Sequence, residues 1–308
     1  MSKRIAVECK ELHKHFGSIR ALNGVDLSIP VGSTFGLVGP NGAGKTTLFS
    51  LVAGYLRPTS GQLEVLGGEL DGEVLRGKLT VLPQDARWRK GVALGRQMIL
   101  CARLQGLGKH EAAEEVGRVL ALTGMASCLH RAPDTLSHGM AKRIAIAQAF
   151  MGDPDLVLLD EPLAGLDPAQ ARQIRLLIQQ ESAKRTFLIS SHVMADIEAL
   201  CSHVAIIKQG RIVAQPSMEE LTQREAVAVF TLAHPPRDEL ARAFEKLDYV
   251  RKVEIRKVER KVQITVKTDI KSLDEAVAAL ILVLVEQKSS FVSIQKGTSL
   301  EDAVIDAT

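Results

Sequence analysis

A glycine-rich segment, Gly39–Thr46, constrains the fold of this chain more than any other feature of its sequence. It reads Gly-Pro-Asn-Gly-Ala-Gly-Lys-Thr and fits the pattern GxxxxGK(S/T). The apolar run Thr34–Val38 precedes it, and a helical pattern opens at Lys45. A strand, a glycine loop and a helix in this order predict a phosphate-binding loop, because glycines let several backbone N–H groups point at phosphate oxygens.

The start of the helix and three residues, Lys45, Thr46 and Thr47, have individual predicted tasks in binding a nucleotide. The positive end of the following helix favours the negative charge of phosphate. Lys45 reaches the β and γ phosphates, the Thr46 hydroxyl is offered to Mg²⁺, and Thr47 meets the α phosphate. The predicted nucleotide-binding set is Gly39, Pro40, Asn41, Gly42, Ala43, Gly44, Lys45, Thr46 and Thr47.

A second apolar run, Leu156–Asp160, ends in two adjacent acids, Asp160 and Glu161. Successive strand residues face opposite ways, so the two carboxylates can take different tasks. Asp160 is predicted to hold Mg²⁺, and Glu161 to polarise the water that attacks the γ phosphate. Alone, the pair could mark only a strand-to-turn boundary, but a phosphate loop in the same sheet favours the functional interpretation.

Short β-rich runs alternate with helical patterns up to about residue 220, which predicts an α/β fold around a parallel sheet. The expected strands are Ile5–Cys9, Thr34–Val38, Gly61–Val65, Lys78–Leu82, Leu156–Asp160, Thr186–Ser190 and Val204–Lys208. The expected helices are Lys45–Gly54, Gly95–Leu104, Lys109–Leu122, Met140–Met151, Pro168–Ala183 and Val193–Cys201.

Residues 225–308 follow a different pattern, which predicts a small α+β domain. The helical run Ala276–Val285 is apolar enough to be a domain core or a dimer seam, and the sequence leaves both open. The mixed charges of Arg251–Lys261 suit a solvated strand face or, alternatively, a polyanion-binding site. The expected strands are Ala226–Leu232, Val250–Val258, Lys261–Lys267 and Phe291–Gln295, and the expected helices are Arg237–Lys246, Ser272–Val285 and Ser299–Asp306.

Composition excludes several classes of protein. With 46% hydrophobic and 24% charged residues, the chain is not mainly disordered. The longest apolar run, Ala276–Val285, is too short to span a bilayer, and the first residues contain no apolar core of a secretory signal. The four cysteines are far apart, which predicts free thiols. A net charge of +3 gives no support to nucleic-acid binding.

Five further motifs make residues 4–220 resemble the nucleotide-binding domain of an ABC transporter. Leu136–Met140, read LSHGM, is similar to the signature LSGGQ, and Leu163–Asp167 is similar to the D-loop. Gln84 matches the Q-loop glutamine, His192 the switch histidine, and Phe16 the aromatic residue under adenine. The resemblance implies a P-loop NTPase cassette with a β-subdomain and a helical signature subdomain, followed here by the small C-terminal α+β domain.

The resemblance also implies a task for each matched residue. Phe16 stacks on adenine unless it is only a core residue, and Gln84 touches the Mg²⁺ and water shell. Ser137 and Gly139 contact the γ phosphate held by a partner subunit, and Asp167 bridges the two subunits. The implied catalytic set is Lys45, Gln84, Glu161 and His192, and the implied metal set is Thr46, Gln84 and Asp160.

By this resemblance the chain is an ATPase that uses ATP and Mg²⁺ and forms a two-fold dimer with a second copy. A separate transmembrane permease holds it at the cytoplasmic face of the cell membrane, and no nucleic acid is expected as a partner. Trp88 is expected in the groove that receives the permease, or equally in a half-buried core position. The signature departs from the family pattern at His138 and Met140, while the LSxGM form and the tail Ser299–Asp302 resemble those of the exporter branch.

Two alternatives remain open at this point. A soluble ABC-type ATPase without a permease could act on nucleic acid or ribosomes, although the chain has neither room for a long coiled coil nor a second cassette. A degenerate cassette could bind ATP without turnover, although the presence of Glu161 and His192 disfavours this.

Overall fold

The computed structural model describes residues 4–68, 75–84, 86–218, 226–232, 234, 238–248, 250–258, 261–268 and 273–296. The chain divides into two compact units, one ending at Pro216 and the next beginning at Ser217. The domain limits expected from the sequence, 4–220 and 225–308, stay a prediction.

A three-stranded antiparallel sheet of the first unit has the order β2-β1-β4. Its strands are β1 (Ile5–Phe16), β2 (Ile19–Pro30) and β4 (Ser60–Val65). The sequence predicted β1 only as far as Cys9 and did not predict β2. The pairing of β1 with β2 shifts register between Cys9 and Leu12, and Glu11 has φ 45°, so the alternation of apolar and polar residues is interrupted there.

A six-stranded sheet has the order β5-β6-β7-β3-β8-β9 and carries the phosphate loop. The strands β5, β6, β7, β3 and β8 are parallel, and β9 pairs antiparallel with β8. Every residue of β3, β6 and β7 is buried, which is why they read as continuous apolar runs. The strands are β3 (Thr34–Val38), β5 (Leu79–Leu82), β6 (Leu156–Asp160), β7 (Thr186–Ser190), β8 (His203–Lys208) and β9 (Arg211–Ala214).

Five of the six α-helices described in the first unit fall into two groups, and α1 packs against β2 and β6. Helices α2, α3 and α4 pack against one another in sequence, while α5 packs against α6. Helix α4 begins at His138 rather than at the expected Met140, so Ser137 becomes its N-cap and Gly139 lies in its first turn. The helices are α1 (Lys45–Val52), α2 (Leu94–Leu104), α3 (Lys109–Leu122), α4 (His138–Ala149), α5 (Pro168–Glu181) and α6 (Met194–Leu200).

Among its described residues, the second unit has an antiparallel sheet of order β11-β12-β10-β13 and two complete α-helices. Its order along the chain, β-α-β-β-α-β, is that of the ferredoxin-like arrangement. Phe230 and Phe244 stack in its core, with ring centroids 5.8 Å apart. The elements are β10 (Ala226–Leu232), α7 (Asp238–Glu245), β11 (Val250–Val258), β12 (Lys261–Thr268), α8 (Leu273–Glu286) and β13 (Phe291–Lys296).

Three expectations from the sequence can be compared with this description. All four cysteines are free, as predicted. Within the described ranges, no helix has the length and hydropathy needed to cross a membrane. The helix expected at Ser299–Asp306 and Ser272, the first residue of the helix expected at Ser272–Val285, lie outside the described residues, as do most side chains of the charge run Arg251–Lys261.

Candidate active site at the carboxyl edge of the parallel sheet

The phosphate loop joins β3 to α1 through two positions that require glycine. Gly44 is the N-cap of α1 with φ 113°, and a Cβ there would lie 2.7 Å from the carbonyl oxygen of Ala21. A Cβ at Gly39 would overlap the backbone carbonyl of Ile207. Any larger residue at either position would displace the loop from β2 or β8.

The phosphate loop contains one buried cation, Lys45, and several backbone N–H groups without a hydrogen-bond acceptor among the described residues. Lys45 Nζ donates to the carbonyl oxygens of Gly39 at 2.6 Å and Pro40 at 3.2 Å, so one of its three N–H groups remains to be given. Among the hydrogen bonds of the described residues, none uses the backbone N–H of Gly42, Gly44 or Lys45. These free donors and the positive end of α1 suit an anion such as phosphate.

The two acids lie at the end of β6 beside the end of β7, and Ser190 of β7 holds both of them. Ser190 Oγ donates to Asp160 Oδ1. The backbone N–H of Glu161 donates to Ser190 Oγ at 3.1 Å and to Ser190 O at 3.2 Å. Glu161 has φ 51°, a left-handed conformation that is costly for a residue with a side chain and typical of functional positions. Ser190 is not among the site residues that the sequence predicted.

His192 and Glu161 form a direct pair. His192 Nδ1 lies 2.8 Å from Glu161 Oε2. The glutamate is buried, whereas the histidine side chain is 61% exposed. The contact orients the imidazole ring through Nδ1 and leaves Nε2 for another partner. The sequence predicted both residues near the γ phosphate but not this contact.

One cavity of about 450 Å³ brings most of the predicted site together. Thr46, Gln84 and Asp160 all line it, and a hydroxyl, an amide and a carboxylate are oxygen donors of the kind Mg²⁺ prefers. The predicted residues that line it are Asn41, Gly42, Gly44, Lys45, Thr46, Thr47, Gln84, Asp160, Glu161 and His192. Ile19, Arg20, Ala21 and Ala164 also line it and were not predicted.

Seven predicted residues do not line this cavity. Phe16 is 47% exposed at the end of β1, where Lys14 Nζ lies 5.1 Å from the centroid of its ring. This exposure is contrary to the alternative that Phe16 is a core residue. The others are three residues of the phosphate loop and three of the signature and D-loop: Gly39, Pro40, Ala43, Ser137, Gly139 and Asp167.

Within one chain, Ser137 and Asp167 cap neighbouring helices. Ser137 Oγ accepts from the Met140 N–H at 3.3 Å, and Asp167 Oδ1 accepts from the Gln170 N–H at 2.8 Å. The side-chain oxygen of Gln170 occupies the space that a Cβ at Gly139 would need. The signature and D-loop segments are therefore in contact through the starts of α4 and α5.

A partly buried ion pair, Arg175 with Asp196, lines a second cavity that His192 also lines. Arg175 Nη1 of α5 contacts Asp196 Oδ1 of α6 at 2.7 Å. A cavity of about 410 Å³ that includes Glu161 and His192 extends to both members of this pair. The ion pair therefore joins the helix that follows the D-loop to the helix that follows the switch histidine.

Trp88 is half-buried, which fits either expectation held for it. Its indole Nε1 is buried and has no hydrogen-bond partner in the described part of the chain. Its place in a permease groove stays a prediction.

Comparison with known proteins identifies the family. The sequence profile of the ABC transporter family matches residues 22–164. YxlF of Bacillus subtilis, an uncharacterized ABC transporter ATP-binding protein, is 32% identical over 225 residues, covering 73% of this chain and 74% of YxlF. The Nod factor export ATP-binding protein I of Cupriavidus metallidurans is 33% identical over 223 residues, covering 71% of this chain and 73% of that protein.

A solved structure described as an ATP binding subunit of an ABC transporter matches with a TM-score of 0.66 and 27% identity. The match covers 71% of this chain and 92% of that structure. The chain therefore belongs to the ATP-binding proteins of ABC transporters, a family of ATPases coupled to transport.

Proposed function

We propose that this ATP-binding protein hydrolyses ATP through Glu161 and His192, in a dimer of two copies that drives a separate permease in export. The observation that carries the proposal is the 2.8 Å contact between His192 Nδ1 and Glu161 Oε2. The contact lies on the cavity that also contains Lys45 and Asp160. A carboxylate paired with an imidazole beside a phosphate loop suits activation of a water molecule.

The phosphate loop holds the nucleotide in this proposal. The free N–H groups at the start of α1 and the remaining N–H of Lys45 bind the β and γ phosphates. Thr47 lies beyond Thr46 at the same helix start, where it meets the α phosphate. The exposed ring of Phe16 stacks on adenine, because a π face accepts any purine.

A magnesium ion completes the cofactor set. Thr46, Gln84 and Asp160 would hold Mg²⁺, directly or through water, and the ion would neutralise charge on the β and γ phosphates. Ser190 keeps the Asp160 carboxylate in place by donating to Oδ1.

Glu161 acts as the general base. It accepts a proton from the attacking water as the water oxygen bonds to the γ phosphorus and ADP leaves with the electrons of the broken bond. Its left-handed backbone and its contact with His192 determine where the carboxylate points. His192 steadies the water and the γ phosphate through the ring nitrogen that Glu161 does not use.

The second copy supplies the signature. Ser137 is exposed, and its Oγ accepts from Met140 N–H, so its own hydroxyl hydrogen can be given to the γ phosphate bound by the other copy. Gly139 adds a backbone N–H from the first turn of α4, and Asp167 bridges the copies. Hydrolysis removes the γ phosphate and with it the contact between the two halves.

The direction of transport and the location are proposed from similarity. The name of the relative from Cupriavidus metallidurans contains the word export, and the LSHGM signature resembles the exporter branch. We place the chain at the cytoplasmic face of the cell membrane, held there by its permease. The relatives compared are transporter ATP-binding proteins, which favours this function over a soluble ATPase that acts on nucleic acid or ribosomes.

Replacement of Glu161 by glutamine tests this proposal. The amide cannot accept the proton, so we expect ATP turnover to fall by roughly 10²–10⁴-fold. We also expect the dimer to accumulate in the presence of Mg·ATP, because the bound ATP is not hydrolysed. Phosphate release and size-exclusion chromatography measure the two effects. Glu114→Gln, an exposed change on α3, is the control and should behave as the unaltered chain does. Unchanged hydrolysis by Glu161→Gln would remove Glu161 from its assigned role.

A further inference from the structure

A second cationic side chain, that of Arg20 on β2, lines the cavity at the phosphate loop as Lys45 does. Arg20 is exposed, and its guanidinium makes no hydrogen bond, ion pair or ring contact with any residue that the structure describes. Lys45, by contrast, already donates to the carbonyl oxygens of Gly39 and Pro40. All the N–H groups of the Arg20 guanidinium therefore remain for a bound ligand.

The path of strand β2 shows which part of a nucleotide Arg20 would meet. Ile19 pairs with Phe16 across the turn between β1 and β2, and both of these side chains are exposed. On the other side of Arg20, the carbonyl oxygen of Ala21 lies beside the phosphate loop, 2.7 Å from where a Cβ of Gly44 would be. Arg20 thus lies between the ring proposed to stack on adenine and the loop proposed to bind the β phosphate. The ribose and the α phosphate join these two parts of the nucleotide.

Charge distinguishes the α phosphate from the ribose as the partner of Arg20. In the proposed function, Lys45 and Mg²⁺ offset the charge of the β and γ phosphates, whereas the α phosphate meets only the neutral hydroxyl of Thr47. A guanidinium is always charged, and its planar fork matches two phosphate oxygens at once, whereas a ribose hydroxyl is a neutral acceptor. The free cation of the cavity therefore suits the phosphate that still lacks one.

We propose that Arg20 binds the α phosphate of the nucleotide and sets the affinity for ATP and ADP without acting in hydrolysis. The inference rests on the proposed function, because the positions of adenine and of the β phosphate are taken from it. The α phosphate keeps its charge while the γ phosphate leaves, so the contact stabilises the bound substrate and the transition state equally. Loss of the contact should therefore raise KM and leave kcat unaltered.

Equilibrium binding of ADP to the full chain measures the contact, because ADP lacks the γ phosphate that would join two copies. Arg20→Gln removes the charge, so we expect the Kd for ADP to rise by about fivefold, the upper end for an exposed ion pair. Arg20→Lys should recover part of the loss, because a lysine keeps the charge but not the paired bonds. Arg103→Gln is the matched control: this exposed arginine of α2 does not line the cavity, so its loss should leave the Kd unchanged.

A second nucleotide separates the α phosphate from the ribose. Arg20→Gln should weaken ADP and 2′-deoxy-ADP by the same factor, because both carry the α phosphate. If the variant and the unaltered chain bind 2′-deoxy-ADP equally well but differ for ADP, Arg20 contacts the 2′ hydroxyl and the proposal is overturned. At about 1 M salt the Debye length is about 3 Å, so the difference between the two chains should shrink for both nucleotides.

Steady-state phosphate release then tests whether Arg20 is confined to binding. We expect the KM for ATP to rise by about fivefold in Arg20→Gln with kcat unchanged, and a fall in kcat at unchanged KM would contradict the proposal. Unchanged ADP binding by Arg20→Gln would overturn this inference and leave the proposed function as it stands. An unaltered chain that binds neither ADP nor ATP would overturn the proposed function and this inference with it.

Discussion

Replacement of Ser190 by alanine removes the side chain that joins the two acids of the site. Ser190 is fully buried, its Oγ donates to Asp160 Oδ1, and it accepts from the Glu161 N–H at 3.1 Å. Without the hydroxyl, a buried carboxylate loses a donor that no water can readily replace. The Glu161 N–H keeps its bond to Ser190 O at 3.2 Å, so the loss falls mainly on Asp160.

The size of the effect follows from the charge of the acceptor. A hydrogen bond to a charged group contributes about 1.5–3 kcal/mol, against about 0.5–1.5 kcal/mol for a neutral acceptor. At roughly 2–4 °C per kcal/mol for a unit of this size, we expect Tm to fall by about 3–12 °C. If Asp160 also turns away from the Mg²⁺ position, ATP turnover should fall by about tenfold, which corresponds to about 1.4 kcal/mol in the barrier.

Differential scanning calorimetry and phosphate release measure these two losses. Ser33→Ala is the matched control, because Ser33 is also buried but its Oγ donates to the neutral carbonyl of Pro30 at 2.7 Å. We expect the control to lose less stability and to keep its activity. If Ser190→Ala loses no more stability than Ser33→Ala and retains full turnover, Ser190 does not support the Asp160 carboxylate.

The ion pair behind His192 and one buried thiol give two further predictions. Arg175→Leu breaks the 2.7 Å contact with Asp196, so we expect kcat to fall by about tenfold (about 1.4 kcal/mol in the barrier) with little change in KM for ATP. Arg175→Lys should restore part of the lost kcat, and the exposed Arg172→Leu should leave kcat unchanged. A change in KM for ATP without a change in kcat would contradict the prediction that this ion pair positions the catalytic residues. Burial, with the charges of Asp26 and then Glu8, raises the pKa of Cys9 from 9.0 to about 12. The protonated thiol therefore contributes fully to the stability of the folded state below pH 9. Above pH 9, the free energy of unfolding measured by urea titration should fall by about 1.4 kcal/mol per pH unit from this source, until the pKa of the folded state is reached. Cys9→Ala should remove that part of the slope, and an unchanged slope would contradict the prediction.

The sequence by itself determined the elements whose burial is uniform. The bounds of β6 and β7 agree with the predicted strands Leu156–Asp160 and Thr186–Ser190, because strands buried on both faces appear as unbroken apolar runs. The phosphate loop was equally clear, since Gly39 and Gly44 are required by close contacts with the backbone of Ile207 and Ala21.

Local sequence did not determine elements whose pattern is interrupted. The second half of β1 is mostly polar, and it pairs with β2 across a register shift. Strand β2 has buried apolar residues at alternate positions, Val25, Leu27 and Ile29, so its pattern could have been recognised in the sequence. Missing β2 also meant missing Ile19, Arg20 and Ala21 as lining residues of the cavity.

Only the tertiary structure decided the contacts within the site. Because β6 lies beside β7, Ser190 meets Asp160 and His192 meets Glu161, although about thirty positions separate the members of each pair along the chain. Sheet order is set by the packing of the whole unit, so a single motif cannot reveal it. The same holds for α8, whose sequence is apolar all round and whose exposed side is defined only by what the sheet leaves uncovered.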